Sequence, residues 1–241
     1  MRGLVTICAR GGSKGIPGKN IKLINGKPLI QYSIEVAVQL AMTYDIDIIL
    51  STDSDEIKDV VERLNLPIDT SYTRPDFLAS DTAGKLDAIT DVKAYSEKMT
   101  NKSYDFVMDL DVTSPLRTSE DLLNSIEILF NNEKALNLFS VSPANRNPYF
   151  NMVEEKEDGF VSLCKKGEFL TRQSAPKVYD MNASYYIFKK KFFADKHATV
   201  ITDKSLVYQV PHLCFDLDHP IDFEFMTFLL EQKKLGFNFN Y

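Results

Sequence analysis

The sequence predicts an α/β fold: a doubly wound, mostly parallel open sheet with a β-rich insertion. Three observations lead there. Apolar, β-branched runs of strand length alternate with residues repeated at helical spacing through roughly the first 140 residues, the pattern of successive strand–helix units. The strand runs are continuous rather than alternating, as strands covered on both faces require. From Pro143 onward, short strand-like pieces stand between turn residues.

Taken in order, Leu4-Val5-Thr6-Ile7-Cys8-Ala9 predicts a buried strand that feeds a glycine-rich loop. Pro28 opens a helix in which Ile30, Ile34, Ala37, Val38 and Ala41 repeat at helical spacing. Asp47–Leu50 reads as the second strand, and Ser54 with Asp55 and Glu56 supplies an N-cap and first-turn acids for a helix ending near Leu64. A helix over Thr82–Lys98, a strand over Asp105–Leu110, a helix over Ser119–Phe130 and a strand over Leu138–Val141 follow. Within 143–183, Tyr149–Val153 and Phe160–Cys164 read as short strands between turns. Strand pattern returns at Tyr185–Phe188 and at Phe215–Asp218, and Pro220 starts a last helix to about Leu235. Repeats, low-complexity stretches and flexible linkers are absent from the sequence, so residues 1–241 read as one domain with 143–183 as an insertion. That insertion is either an arm that pairs with a second subunit or a solvated hairpin.

Composition narrows the function. The chain is 44% hydrophobic and 26% charged, as soluble globular proteins are. It holds no apolar run long enough for a membrane span, and its first residues lack the apolar stretch of a secretory signal. Cys8, Cys164 and Cys214 form neither a disulfide framework nor a C-x-x-C pair, so a reducing cytoplasm is the expected location. The net charge of −6 argues against bulk nucleic-acid binding, yet residues 1–34 carry +6 and no acid, leaving −12 on the rest. A basic patch on an acidic chain points to a local anionic ligand.

That patch centres on Arg10-Gly11-Gly12-Ser13-Lys14-Gly15-Ile16-Pro17-Gly18-Lys19-Asn20. Glycines let main-chain N–H groups approach an anion, and the three cations can neutralise phosphate charge. Asn20 stands where a P-loop needs Ser or Thr, and the glycine spacing is not the dinucleotide fingerprint. Phosphate binding by another kind of loop is expected.

The loop resembles the signature loop of the cytidylyltransferases that activate nine-carbon 2-keto-3-deoxy sugar acids, the CMP-sialate synthetases and their relatives for legionaminic and pseudaminic acids. The resemblance continues in order through Ser51–Ile57, Arg74-Pro75 with Leu78–Thr82, Thr113-Ser114-Pro115-Leu116-Arg117, Arg172-Gln173, Asn182 with Tyr186, and Asp216-Leu217-Asp218. It implies a Rossmann-like nucleotidyltransferase fold, usually a homodimer, and a reaction of CTP with a nonulosonic acid that yields a CMP-sugar and pyrophosphate. On that resemblance Arg10, Gly11, Gly12, Ser13, Lys14 and Lys19 hold the triphosphate, with Lys19 on the departing charge. Asn20, Arg74, Ala83 and Lys85 line the cytidine pocket. Arg10, Lys19 and Asp216 are the catalytic candidates, and Asp216 with Asp218 binds Mg²⁺. On the predicted strand these two acids would project from one face, offering the hard oxygen ligands Mg²⁺ prefers. Arg172, Gln173, Asn182 and Tyr186 would meet the sugar, and Asp111 either binds its hydroxyls or reaches a second metal.

Three departures from the sialate pattern stand out: Asp111-Val112 in place of a Gln-Pro pair, Asp180 in place of an Arg, and Ala183 in place of a Gly. Together with Arg146–Asn151 and Gln173–Ala183 they lean toward legionaminate-type enzymes. A 3-deoxy-manno-octulosonate cytidylyltransferase and a catalytically silent nucleotide- or sugar-binding regulator are the alternatives. His197, His212 and His219 show no ligand spacing and read as surface or loop residues, and Cys8 reads as a small apolar group in its strand.

Overall fold

The computed structural model describes every residue except Ser13, Lys14, Asp81, Glu168, Leu170, Arg172, Lys196, Asn240 and Tyr241. Its first strand, β1 (Arg2–Cys8), lies inside the sheet with Leu4, Val5 and Ile7 fully buried. A short 3₁₀ turn (Lys19–Ile21) follows the glycine loop. Then β2 (Leu23–Ile24) and β3 (Lys27–Pro28) form a two-stranded hairpin. Its turn is Asn25-Gly26, at φ +50° and +78°, the pair of left-handed residues that a two-residue hairpin needs. Next come α1 (Leu29–Leu40), β4 (Asp45–Ser51), α2 (Asp55–Arg63), α3 (Asp76–Ala79) and α4 (Lys85–Thr100). They are followed by β5 (Phe106–Leu110), α5 (Ser119–Asn131) and β6 (Asn137–Pro143). The exposed hairpin β7 (Val153–Glu155) and β8 (Val161–Leu163) leads to β9 (Tyr179–Lys189), α6 (Lys190–Ala194), β10 (Ser205–Gln209) and α7 (Pro220–Glu231).

Among the described residues six strands form the main sheet, in the order β10-β6-β9-β5-β1-β4. β1 runs parallel to β4 and β5, and β10 parallel to β6. β9 alone runs against its neighbours β5 and β6. The strands alternate between two cores, as the period of two requires. Val5, Ile7, Ile48, Leu50, Met108 and Leu110 pack under α1, α2, α5 and α7. Leu4, Ile49 and Val107 pack on the other face under α4 and α6. The chain leaves β1 toward β4 on one side and leaves β5 toward β6 on the other, so the crevice between β1 and β5 is the topological switch point. Ligands of open α/β sheets bind at the carboxyl ends of strands there.

The structure departs from the sequence reading in several places. Phe215–Asp218 is no strand; its described backbone bond is Leu217 N–H to the Thr113 carbonyl at 2.8 Å. Tyr149–Met152 is a turn, because the Asn147 carbonyl accepts the N–H groups of Phe150, Asn151 and Met152. β10, an edge strand of half-buried residues, carries too short an apolar signature to be read from sequence. The last helix ends at Glu231 rather than near Leu235.

β9 is longer than expected and bulges opposite Phe139 and Val141. Within the bulge Ala183 takes φ +54°, the left-handed region where an L side chain costs about 1–2 kcal/mol. This is the position where sialate-type relatives were expected to carry Gly. Ala183→Gly is predicted to stabilise the chain by about 0.5 kcal/mol, since relief of strain outweighs the added freedom of the unfolded chain. The melting temperature should rise by about 1–2 °C; a fall on thermal denaturation would contradict the strain assignment.

Candidate active site

The glycine loop leaves the end of β1, where Ala9 N–H still bonds the Ser51 carbonyl of β4 at 2.9 Å. Gly11 N–H donates to Asp53 Oδ1 at 2.9 Å, and a Cβ at Gly11 would lie 3.0 Å from that of Ser54, the N-cap of α2. Asn20 is buried and its amide donates to the Arg10 carbonyl at 3.0 Å, pinning the far end of the loop to its beginning. Ser13 and Lys14, both expected on the triphosphate, lie outside the described residues.

The facing wall comes from the turn after β5 and from the segment ahead of α7. Leu217 is fully buried, and its N–H is bonded to the turn carbonyl of Thr113. Asp218 is thereby carried to the loop, while Asp216 lies on the side of Ser114 and Asp111. A Cβ on Gly15 would stand 3.3 Å from the Asp218 carbonyl. Lys19 Nζ meets Asp218 Oδ1 at 3.0 Å, closing a contact between residues 199 positions apart.

Between the two walls opens a cavity of about 510 Å³ lined by Arg10, Lys19, Asn20, Arg74, Ala83, Lys85, Asp111 and Asp218, among others. Arg74 is buried, its Nε and Nη2 bonded to the Ser51 hydroxyl and carbonyl at 3.0 and 2.9 Å. Lys85, the first residue of α4, places Nζ 2.5 Å from Asp111 Oδ2 and 3.4 Å from Asp109 Oδ2, over the Tyr186 ring. Burial opposes the charge of Asp111, but Lys85 and the Thr113 N–H and hydroxyl outweigh it and hold the acid at about 2. The same carboxylates hold the Lys85 ammonium above its ordinary range against the cost of burial. Asp216 moves the other way: burial, then the charges of Asp111 and Asp218, push it up to about 6. Cys8 also lines the cavity, its thiol pushed up to about 12 by burial and by Asp109, so it is a small uncharged group there.

The residues expected on the sugar are not gathered in the same way. Asp111 lines the main cavity, but Lys85 and Thr113 occupy its oxygens. Gln173 lines a separate cavity of about 390 Å³ with Asn147, Lys177 and Tyr179 at the base of the insertion. Asn182 is buried, its amide spent on Ser140 at 2.6 Å and Ser142 at 3.1 Å. Tyr186 is buried against Phe188. Arg172 lies outside the described residues. Gly11 and Gly12 are exposed beside the cavity.

Comparison with known proteins identifies the family. A family model described as Cytidylyltransferase matches residues 4–235. The chain belongs to that family. It is therefore a nucleotidyltransferase. Post-translational flagellin modification protein B of Campylobacter coli is 41% identical over 232 residues, which cover 96% of each chain. CMP-N,N'-diacetyllegionaminic acid synthase of Campylobacter jejuni subsp. jejuni is 40% identical over 233 residues, 97% of each chain. Among solved structures, a CMP:2-keto-3-deoxy-manno-octonic acid synthetase complexed with CTP superposes with a TM-score of 0.69, covering 97% of this chain and 100% of that one. At 16% identity that likeness is one of fold.

Sequence reasoning about the cytidylyltransferase site overlooked two supports. Arg117 stands in the sequence as the end of a motif, and its fully buried guanidinium donates to the carbonyls of Asp111, Ser114 and Ser184 and to the Ser33 hydroxyl. His212 is a loop residue, as expected, but not a free one: its Nε2 donates to Asp121 Oδ2 at 2.8 Å and its ring packs on Phe237. Asp121 is also half of the capping box of α5, so this pair ties the segment ahead of Asp216 to the start of that helix. Burial disfavours the His212 charge, but the Asp121 carboxylate and the Leu213 carbonyl outweigh it and raise the imidazole. Burial likewise opposes the Asp121 charge, and His212 and Thr118 lower it. Histidine stabilisation of this sign is complete below the unfolded value and fades as pH rises through the folded one. The aspartate contribution fades as pH falls, so the pair is strongest between about pH 4 and 6.5. His212→Ala should cost about 1–2 kcal/mol at pH 5.5 and less at pH 9. Denaturant titrations at the two pH values check this, and a gap independent of pH would refute it.

Proposed function

We propose that this cytidylyltransferase moves CMP from CTP to the anomeric hydroxyl of a nonulosonic acid of the legionaminic or sialic type and releases pyrophosphate. The observation that carries the reading is the meeting of Lys19 with Asp218 at 3.0 Å on a cavity that also collects Arg10, Asn20 and Arg74. The sugar class is supported by the 40% identical relative, whose name specifies a legionaminic acid.

Nucleotidyl transfer asks the protein for positioning and charge neutralisation rather than a covalent intermediate. Arg10 and Lys19 would neutralise the triphosphate, with Lys19 stabilising charge on the departing pyrophosphate. Asn20 and Arg74, both buried and anchored to main chain, form a rigid floor for the nucleoside. Asp216 and Asp218 suit one Mg²⁺. Asp216 Oδ1 is buried without a hydrogen-bond partner, and burial, with repulsion from Asp111 and Asp218, lifts the Asp216 acid; a divalent cation would answer the unbonded oxygen and the repulsion. No group of three His, Cys, Asp or Glu gathers among the described residues, so water and phosphate oxygens would complete its shell. When bound, Mg²⁺ supplies charge neutralisation and lowers the pKa of the attacking hydroxyl.

The insertion supports a homodimer in this reading. Phe150, Met152, Val153, Phe160 and Val161 are exposed on or beside its hairpin, and Gln173 opens on a cavity at its base. Light scattering should give twice the 27.4 kDa chain mass; a monomer would remove the insertion's assigned role. A cytoplasmic location fits the CTP donor and the three unpaired thiols.

The reaction is tested by coupled pyrophosphate release with a panel of legionaminic, sialic, pseudaminic and octulosonic acids, each with CTP, UTP and ATP. Release is expected only with CTP, Mg²⁺ and a nonulosonic acid. Turnover restricted to the octulosonic acid would replace the substrate, and silence with every acid would favour a regulator. Lys19→Ala should lower kcat/KM by about 10² or more, the scale of one oriented charge contact. An unchanged rate would strip Lys19 of its role.

A further inference from the structure

We propose that the Lys85 ammonium is a tethered cation held between Asp109 and Asp111, so that these carboxylates take no divalent ion and the cavity binds metal through Asp216 and Asp218 alone. The inference rests on the reading of this cavity as a metal-assisted CTP site, and it settles how many of its acids serve metal.

The two acids leave the end of β5 toward the same cation, and each has one oxygen closed by a threonine. Asp109 Oδ1 accepts from the Thr6 hydroxyl at 2.8 Å. Asp111 Oδ1 accepts from the Thr113 N–H and hydroxyl, both at 2.8 Å. The remaining oxygens face Lys85: Asp111 Oδ2 at 2.5 Å and Asp109 Oδ2 at 3.4 Å. Asp109 is fully buried, and its Oδ2 has no hydrogen-bond partner. A charge in that place is tolerated only beside a compensating cation. Lys85 supplies it from within the chain, with its ammonium 5.2 Å from the centre of the Tyr186 ring.

Local preference does not explain a lysine at this position. Lys85 is the first residue of the 16-residue α4, and its N-cap, Gly84, makes no side-chain cap. The positive end of a helix dipole disfavours a cation there. A residue that breaks a local rule at the wall of a functional cavity is placed by what it faces, and Lys85 faces two carboxylates. Among the described residues Asp216 has no ion pair: its Oδ1 is buried and unbonded, and its neighbour Asp218 meets Lys19 and is more than half exposed. The cavity thus has one acidic pair neutralised by a lysine set between its carboxylates, and a second pair in which Asp218 alone meets a cation of the chain, Lys19, through a contact exposed on the acid's side that a bound ion can replace.

The test is Mn²⁺ binding to the full-length protein with CTP and no sugar, read by the paramagnetic resonance of free Mn²⁺. Asp218→Asn should weaken binding by about tenfold or more, as loss of a ligand does, while Asp111→Asn leaves it unchanged. Lys85→Met should bind one more Mn²⁺ per chain than the wild type, and Lys85→Arg should not. Loss of affinity in Asp111→Asn equal to that in Asp218→Asn overturns the proposal, as does the absence of an added ion in Lys85→Met. If Lys85→Met does not fold, the comparison of Asp111→Asn with Asp218→Asn decides alone. Binding indifferent to both substitutions would remove the metal site and this proposal with it. Failure of pyrophosphate release in the wild type, with Mn²⁺ binding dependent on Asp218 and not Asp111, would overturn the substrate and leave the role of Lys85 standing.

Discussion

Leu217 is buried completely with an acid on either side, and its N–H reaches across to the carbonyl of Thr113. The rest of the site depends on that anchor. An apolar residue sunk in the core fixes its neighbours at the surface, and here the surface is the crevice beside the glycine loop. The Lys19–Asp218 ion pair does not hold the two walls together. Asp218 is 62% exposed in that pair, and exposed pairs contribute about 0–1 kcal/mol. Burial of Leu217 and the backbone bond bring the walls together, and the ion pair records the result.

A weak pair is what a nucleotide site can use. In the free protein Lys19 and Asp218 serve as each other's counterion, and both are charges that a triphosphate and its cation would claim. Exchanging an exposed pair for ligand contacts costs little, because little energy is stored in it. The Lys85 cluster is the opposite case. There Asp109 is buried and Asp111 half-buried, their second oxygens are taken by threonines, and separation would leave uncompensated charge in a low dielectric. One cavity therefore holds two kinds of ion pair, one ready to open and one built to stay closed.

The sheet and the loop were legible because each is written in consecutive residues. Leu4–Ala9 is a continuous apolar run, and the cations of the loop lie within ten positions of one another. Helix starts were equally local: Ser54 caps α2 as its sequence implies, and Thr118 and Asp121 close the capping box of α5. What was not legible is written across the fold. Nothing near Lys85 in the sequence announces Asp109 and Asp111, and nothing near His212 announces Asp121. The Asp216–Asp218 segment was read as a strand because its residues alternate. That alternation comes from one buried leucine with no strand beside it.

The residues that carry the resemblance divide by what they touch. Arg10, Lys19, Asn20 and Arg74 line the cavity, whereas Asn182 and Arg117 hold the frame around it. The Asn182 carbonyl accepts from the Ser114 hydroxyl at 2.8 Å while its amide spans Ser140 and Ser142. That ties the bulge of β9 to β6 and to the turn that carries Thr113. Arg117 grips the same turn through the carbonyls of Asp111 and Ser114. A buried amide and a buried guanidinium, each bonded to several groups, are stiff, and removing either would strand the groups left behind. Their influence on chemistry runs through the Thr113 carbonyl to Leu217, and so to the two acids beside it.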